Sequence, residues 1–344
     1  MRRDWNSMRK LLLVLLLFVF VGLGFAVYAR REWRVVGSPA EGGIVEIPHG
    51  LGTRAIVGLL VDKKVIPNRY AAMAYIFYTR SRNKLQAGEY LFDHPMTIPD
   101  VIGKIANGAV YLHKFTVPEG LTAAVIAQKW QEQGFGTEEE FAEAMGASLD
   151  LVKGFDEKAT SVEGYLFPET YSFPKHTSAR RAIETMVARF EQNLTRLEQV
   201  LSADKWPLSL HDTVILASLV ESEAAQADER PVIASVYLNR LKRRILLQCD
   251  PTVIYALARE DRYHGTLTLS DLKFKSSYNT YVTAGLPPGP ISNPGYPSLL
   301  AAIQPAMTNY IFFVRTVESR HTFSETLADH NRAVAAYRKL RKTS

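Results

Sequence analysis

The chain has 344 residues, 47% hydrophobic and 22% charged, enough for two or three compact units; its 21 glycines and 17 prolines exclude a collagen-like or low-complexity protein. A net charge of +6 suits an anionic partner, but part of the excess sits at the extreme N-terminus, which argues against nucleic acid. The single cysteine, Cys249, excludes an intrachain disulfide framework and any multi-cysteine metal site.

The first element is an uncharged apolar run from Leu11 to Ala29. At about 1.5 Å per residue it just crosses a hydrocarbon core of about 30 Å. Arg2, Arg3, Arg9 and Lys10 precede it, and Arg30, Arg31 and Arg34 follow. The run is longer than a signal-peptide core, and Tyr28-Ala29-Arg30-Arg31 makes a poor cleavage site. The expectation is a retained single-pass transmembrane helix over 11–29. Its short basic tail, 1–10, stays cytoplasmic, and the body lies on the other side.

Two segments then echo each other. VEIPHGLGTRAIVGLL (Val45–Leu60) aligns with FTVPEGLTAAVIAQKW (Phe115–Trp130), each a strand ending in Pro-x-Gly followed by an amphipathic helix. Each is followed by a short aromatic strand, a turn with proline and a helix, at Leu85–Ile105 and Ser161–Ile183. Repetition in order, at a period of about 70–75 residues, predicts a duplicated small α+β module over 30–175.

From Ala179 the pattern turns helical, with a break at Lys205-Trp206-Pro207. A capping box at Ser209…Asp212 predicts a helix over Thr213–Ala225. Asp228 is the expected N-cap of the next helix, which runs to about Arg244 with Pro231 in its first turn. The proline-rich loop GLPPGPISNPG (Gly285–Gly295) follows, and an aromatic strand (Tyr310–Val314), a turn and a helix over Ser324–Arg341 close the chain. The fold class is α+β, with 176–344 mainly helical.

Two carboxylates interrupt the apolar stretch VILASLVESEAA. At 100° per residue Glu221 shares a face with Val214, Ala217 and Ser218, whereas Glu223 points with Leu216 and Leu219 to the far side. Small residues around Glu221 would leave a hollow for a substrate, and a carboxyl desolvated there keeps its proton near neutrality, as a general acid must. The other reading is a structural Glu221 paired with Arg230 or Arg240. Amides, carboxylates and tyrosines gather nearby in sequence: Asn239, Gln248, Asp250, Tyr255, Tyr278, Asn279, Tyr281 and Asn293. Such groups bind sugars through hydrogen bonds to hydroxyls and acetamides and through ring faces. The proline-rich loop is expected to form a pre-shaped wall beside Glu221.

The combination of VESEA, NRLxxxxxLQCDPTVIYAL, SYNTY, GLPPGPISNPG and HTFSETLADHN resembles the YceG-like family, the endolytic murein transglycosylases of the MltG type. The resemblance implies that the duplicated module is LysM-like and binds peptidoglycan, and that 176–344 is the catalytic domain. It places the catalytic role on the first Glu of Val-Glu-x-Glu, Glu221, and leaves Cys249 inert. It implies cleavage between N-acetylmuramic acid and N-acetylglucosamine to leave 1,6-anhydro ends, without metal or other cofactor. The implied setting is the inner membrane, with the catalytic part periplasmic and peptidoglycan synthases as candidate partners. A non-catalytic peptidoglycan-binding scaffold is the competing reading; it makes Glu221 dispensable.

Overall fold

The computed structural model describes residues 2–38, 43–316 and 320–343. Met1 and Ser344, the outer ends of the expected tail and C-terminal region, lie outside the described residues. The chain divides into two compact units: 1–113 with 172–176, and 114–171 with 177–344.

The first unit opens with helix α1 (Arg2–Trp33), about 48 Å long. Its stretch Ser7–Trp33 is long and apolar enough to cross a membrane, and side chains such as Leu11, Phe18 and Phe20 stand exposed along it. Strand β1 (Ile44–Ile47), helices α2 (Thr53–Asp62) and α3 (Arg69–Tyr78), strand β2 (Gly88–Leu91) and helix α4 (Ile98–Ala106) follow. β1 and β2 pair antiparallel, with Val45 opposite Tyr90. Helix α4 begins where Thr97 and Asp100 cap each other's backbone, and it buries Ile98, Val101, Ile102 and Ile105, the i, i+3, i+4, i+7 stripe of an amphipathic helix. That stripe meets Ile47, Leu60, Ile76, Tyr90 and Phe92 in one core.

The second unit contains most of strand β3 (His113–Thr116), then helices α5 (Ala123–Glu132), α6 (Glu138–Gly146) and α7 (Leu149–Lys153), and Thr170 and Tyr171 of strand β4 (Thr170–Phe173), the partner of β3. Helices α8 (Ala179–Val200), α9 (Leu210–Glu223), α10 (Arg230–Lys242), α11 (Asp250–Ala258) and α12 (Tyr296–Ile303) come next. A hairpin of β5 (Phe312–Arg315) and β6 (His321–Ser324), then α13 (Leu327–Thr343), completes it. β6 stands where only a turn was expected; Phe313 faces Phe323 across the hairpin, an aromatic pair that favours strand pairing.

Two helices lie between β1 and β2, whereas three, α5, α6 and the short α7, lie between β3 and β4, and most of this second segment falls in the compact unit of the later helices. The second such segment belongs with the helices because its polar groups are satisfied there: Glu163, Gly164 and Leu166 all bond to Asn293. Helix α9 begins as expected, with the Ser209 hydroxyl accepting from the Asp212 amide, and it is buried on all sides from Thr213 to Val220. It is the central helix of its unit. Asp228 does not cap α10. It lies one short turn earlier and holds the Arg320 guanidinium at 3.0 Å, and α10 begins at Arg230 behind Glu229.

Candidate active site

Glu221 and Glu223 leave the end of α9 in opposite directions, as the helical angle requires, but the hollow lies on the Glu223 side. The Glu221 carboxyl is 5% exposed; one oxygen lies 3.1 Å from Arg230 and the other accepts from the Gly295 amide at 3.0 Å. Glu119 also faces Arg230, at 3.8 Å. Burial and the nearby Glu221 charge hold Glu119 above the usual carboxylate range. The small residues on the Glu221 face admit backbone rather than a substrate. The Ile291 amide donates to the Ser218 hydroxyl at 3.1 Å, and the Ser292 hydroxyl donates to the Ser218 carbonyl. The loop Gly285–Gly295 therefore lies beside Glu221, as expected, but as a packed latch.

The latch approaches so closely that Gly164, at φ +89°, has no room for a side chain: a Cβ would lie 2.4 Å from Pro290 Cγ. Gly164→Ala is expected to cost about 3 kcal/mol, part backbone strain and part overpacking, read as a lowered denaturant midpoint. An unchanged midpoint would show that the latch is loose.

Glu223 opens instead into a hollow of about 360 Å³ whose lining includes Gln248, Asp250, Tyr281, Arg315 and His321. Burial pushes its carboxyl up to about 7, and the Asp250 charge pushes the same way; hydrogen bonds from Cys249 and Tyr237 and the charge of Arg315 pull it down by less. The Cys249 thiol and the Tyr237 hydroxyl both point at Glu223 Oε1, at 3.5 and 3.4 Å. Asp250, the first residue of α11, accepts from the Tyr281 hydroxyl at 2.5 Å. His321 is tied to Glu229 through both its amide and its ring Nδ1, each at 2.8 Å, which fixes one wall.

Of the nine site residues expected from sequence, this hollow gathers Gln248, Asp250 and Tyr281. Tyr255 and Tyr278 line a second hollow of about 420 Å³ with Glu163 and Arg259, their rings 5.0 Å apart and Arg259 over both. Burial raises the Glu163 carboxyl to about 7 as well. The three asparagines are engaged with the protein itself. Asn239 donates to the carbonyls of Thr308 and Tyr310. Asn279, fully buried, donates to those of Leu272 and Phe274 and accepts from the Tyr281 amide. Asn293, also fully buried, accepts from the amides of Gly164 and Leu166 and donates to the Leu121 carbonyl and Glu163. Both side-chain amide protons of each asparagine are thereby used within the protein.

A model of the YceG-like family matches residues 45–336. The chain belongs to the YceG-like family. It is 33% identical over 313 residues to the endolytic murein transglycosylase of Bacillus subtilis strain 168, covering 85% of this chain and 84% of that protein. The endolytic murein transglycosylase of Streptococcus pneumoniae serotype 2 strain D39 is 28% identical over 331 residues, covering 85% of this chain and 58% of its own length. A crystal structure of a YceG-like protein from Listeria monocytogenes superposes with a TM-score of 0.58 at 32% identity, covering 86% of this chain and 99% of that one.

The sequence reading of this YceG-like chain set Glu223 on the side of Leu216 and Leu219, took Cys249 as inert, and did not place Tyr237, Arg315 or His321 at a site, whereas the hollow brings them together. One signal was available: Glu223 closes a run of apolar residues at the last turn of α9, where a side chain leaves the core for a hollow beside it.

Proposed function

We propose that this chain is a membrane-anchored endolytic lytic transglycosylase of peptidoglycan, with Glu223 rather than Glu221 as its acid and base. The observation that carries the reading is the Glu223 carboxyl, desolvated and held up to about 7 on a hollow lined by Gln248, Asp250, Tyr281 and Arg315. Protonated Glu223 gives its proton to the oxygen between muramic acid C1 and the neighbouring glucosamine. That bond breaks through an oxocarbenium-like state, and the glucosamine leaves bearing a hydroxyl. The carboxylate then takes the proton of the muramic acid C6 hydroxyl as O6 bonds to C1, which closes the 1,6-anhydro ring and restores Glu223. No water is consumed, so one carboxyl serves both steps where ordinary glycosidases canonically need two. Asp250, held by Tyr281, and Arg315 surround the developing positive charge and the leaving sugar. α1 serves as the anchor, with the catalytic body in the periplasm. The segments β1–β2 and β3–β4 act as LysM-like modules that hold the strand. A non-catalytic scaffold would have no use for a carboxyl kept protonated on a polar hollow.

Mass analysis of products from purified glycan tests this directly. Anhydro ends are expected, and ends heavier by one water would overturn the transglycosylase reading in favour of hydrolysis. The pH profile follows from the raised carboxyl. The acid form is full well below 7 and is lost as pH rises through it, so kcat/KM on soluble glycan strands should fall about tenfold per unit on the alkaline side. A profile flat across neutrality would remove Glu223 from the acid role.

A further inference from the structure

α3 turns rings rather than polar groups outward. Tyr70, Phe77 and Tyr78 are 80%, 87% and 70% exposed. At 100° per residue they fall with Ala74 on one face, while Ala72 and Ile76 lie opposite and join the core together with Ala71, which sits at the edge beside Tyr78. This face stands against the end of α1. The Trp33 indole donates to the Ala71 carbonyl at 2.9 Å, and its ring lies 5.2 Å from Tyr75 and 5.6 Å from Tyr78. Asn68, the N-cap of α3, donates to Glu32 at 3.0 Å. Between the helices runs an apolar groove of about 760 Å³, lined by Leu23, Val27, Ala74, Phe77, Tyr78 and Arg80.

The depth of that groove is informative. Leu23 lies six residues before Ala29, about 9 Å along the axis. The C-terminal end of α3 therefore stands level with the last two turns of the apolar run, so a bilayer thick enough to cover that run also reaches Phe77 and Tyr78. Exposed Arg30, Arg31 and Arg34 follow the apolar run in sequence, and exposed Arg80 and Arg82 follow the rings. Aromatic rings at the headgroup level with arginines reaching to phosphates is the pattern of a surface seated in a membrane interface.

We infer that α3 is a membrane-seated helix: its Tyr70–Phe77–Tyr78 face lies in the headgroup–acyl boundary of the bilayer that α1 spans, with Arg30, Arg31 and Arg34 on anionic phosphates. The inference rests on α1 being the anchor. It assigns the first unit a second role, fixing its own depth and tilt at the membrane; a single helix with a free joint would leave both open.

The test uses the full chain in vesicles of phosphatidylethanolamine and phosphatidylglycerol. Nitroxide labels are placed at Leu17→Cys, Phe77→Cys and Leu269→Cys; Leu17, Phe77 and Leu269 are all exposed, so the fold should tolerate the changes, and Cys249 is buried from the reagent. Each label's collisions with oxygen and with a water-soluble nickel chelate report its depth. Position 17 should be deep, 269 aqueous, and 77 shielded from nickel at least several-fold relative to 269. Position 17 deep with 77 as accessible as 269 would overturn the seating of α3 and leave the anchor intact. Nickel access at 17 itself would overturn the anchor, and the seating with it.

Discussion

Glu223→Gln should lower turnover on glycan strands by about 100–10,000-fold, the usual worth of general acid–base catalysis, with the fold retained. Gln is the isostere of the protonated acid that the site holds near neutrality, and it can still accept from Cys249 and Tyr237, so no buried partner is orphaned. Glu221→Gln should do the opposite. Its loss weakens a mostly buried pair with Arg230 and should cost about 2 kcal/mol of stability, with turnover near normal in the folded fraction. Melting curves and single-turnover rates on both variants separate the two effects. If Glu221→Gln abolished turnover with its melting unchanged while Glu223→Gln kept activity, the acid would be Glu221 and the hollow at Glu223 irrelevant to chemistry.

The choice between two carboxylates two positions apart shows where sequence reasoning succeeds and where it stops. Periodicity correctly put Glu221 and Glu223 on opposite faces of a capped helix, because 100° per residue is a local property. What each face meets is not local. The small side chains around Glu221 read equally well as the wall of a hollow or as room for a close neighbour. The neighbour is the loop Gly285–Gly295, some 70 residues later, with its amides on Ser218 and Glu221. The structural pairing of Glu221 with Arg230 was already open in the sequence, nine residues apart, and the pair forms. Helix α4 was legible as the helix after the proline-containing turn of Leu85–Ile105, and its cap and apolar stripe are local as well. The division between units was not legible. It depends on which core takes up β3 to β4, and side chains such as Glu163 and Asn293 decide that across some 130 residues.

The asparagine that sequence placed among the sugar contacts should prove to be among the costliest residues to remove. Asn293→Ala strips the buried amides of Gly164 and Leu166 of their acceptor and takes a donor from the Leu121 carbonyl and from Glu163. Each buried polar group left unsatisfied costs about 1–3 kcal/mol, so a loss of roughly 4 kcal/mol or more is expected after partial relaxation. In a unit of this size that lowers the melting temperature by roughly 10 °C. Asn293→Asp keeps the acceptor for the two amides but sets a second carboxyl beside Glu163, whose charge is already disfavoured by burial. Its loss should therefore shrink as pH falls and one carboxyl takes up a proton, a dependence that Asn293→Ala lacks. If Asn293 instead touched glycan, its alanine variant would melt like the parent and show only a raised KM. The four bonds on this one amide, joining the loop to the Leu121 and Gly164 segments, argue for the structural result.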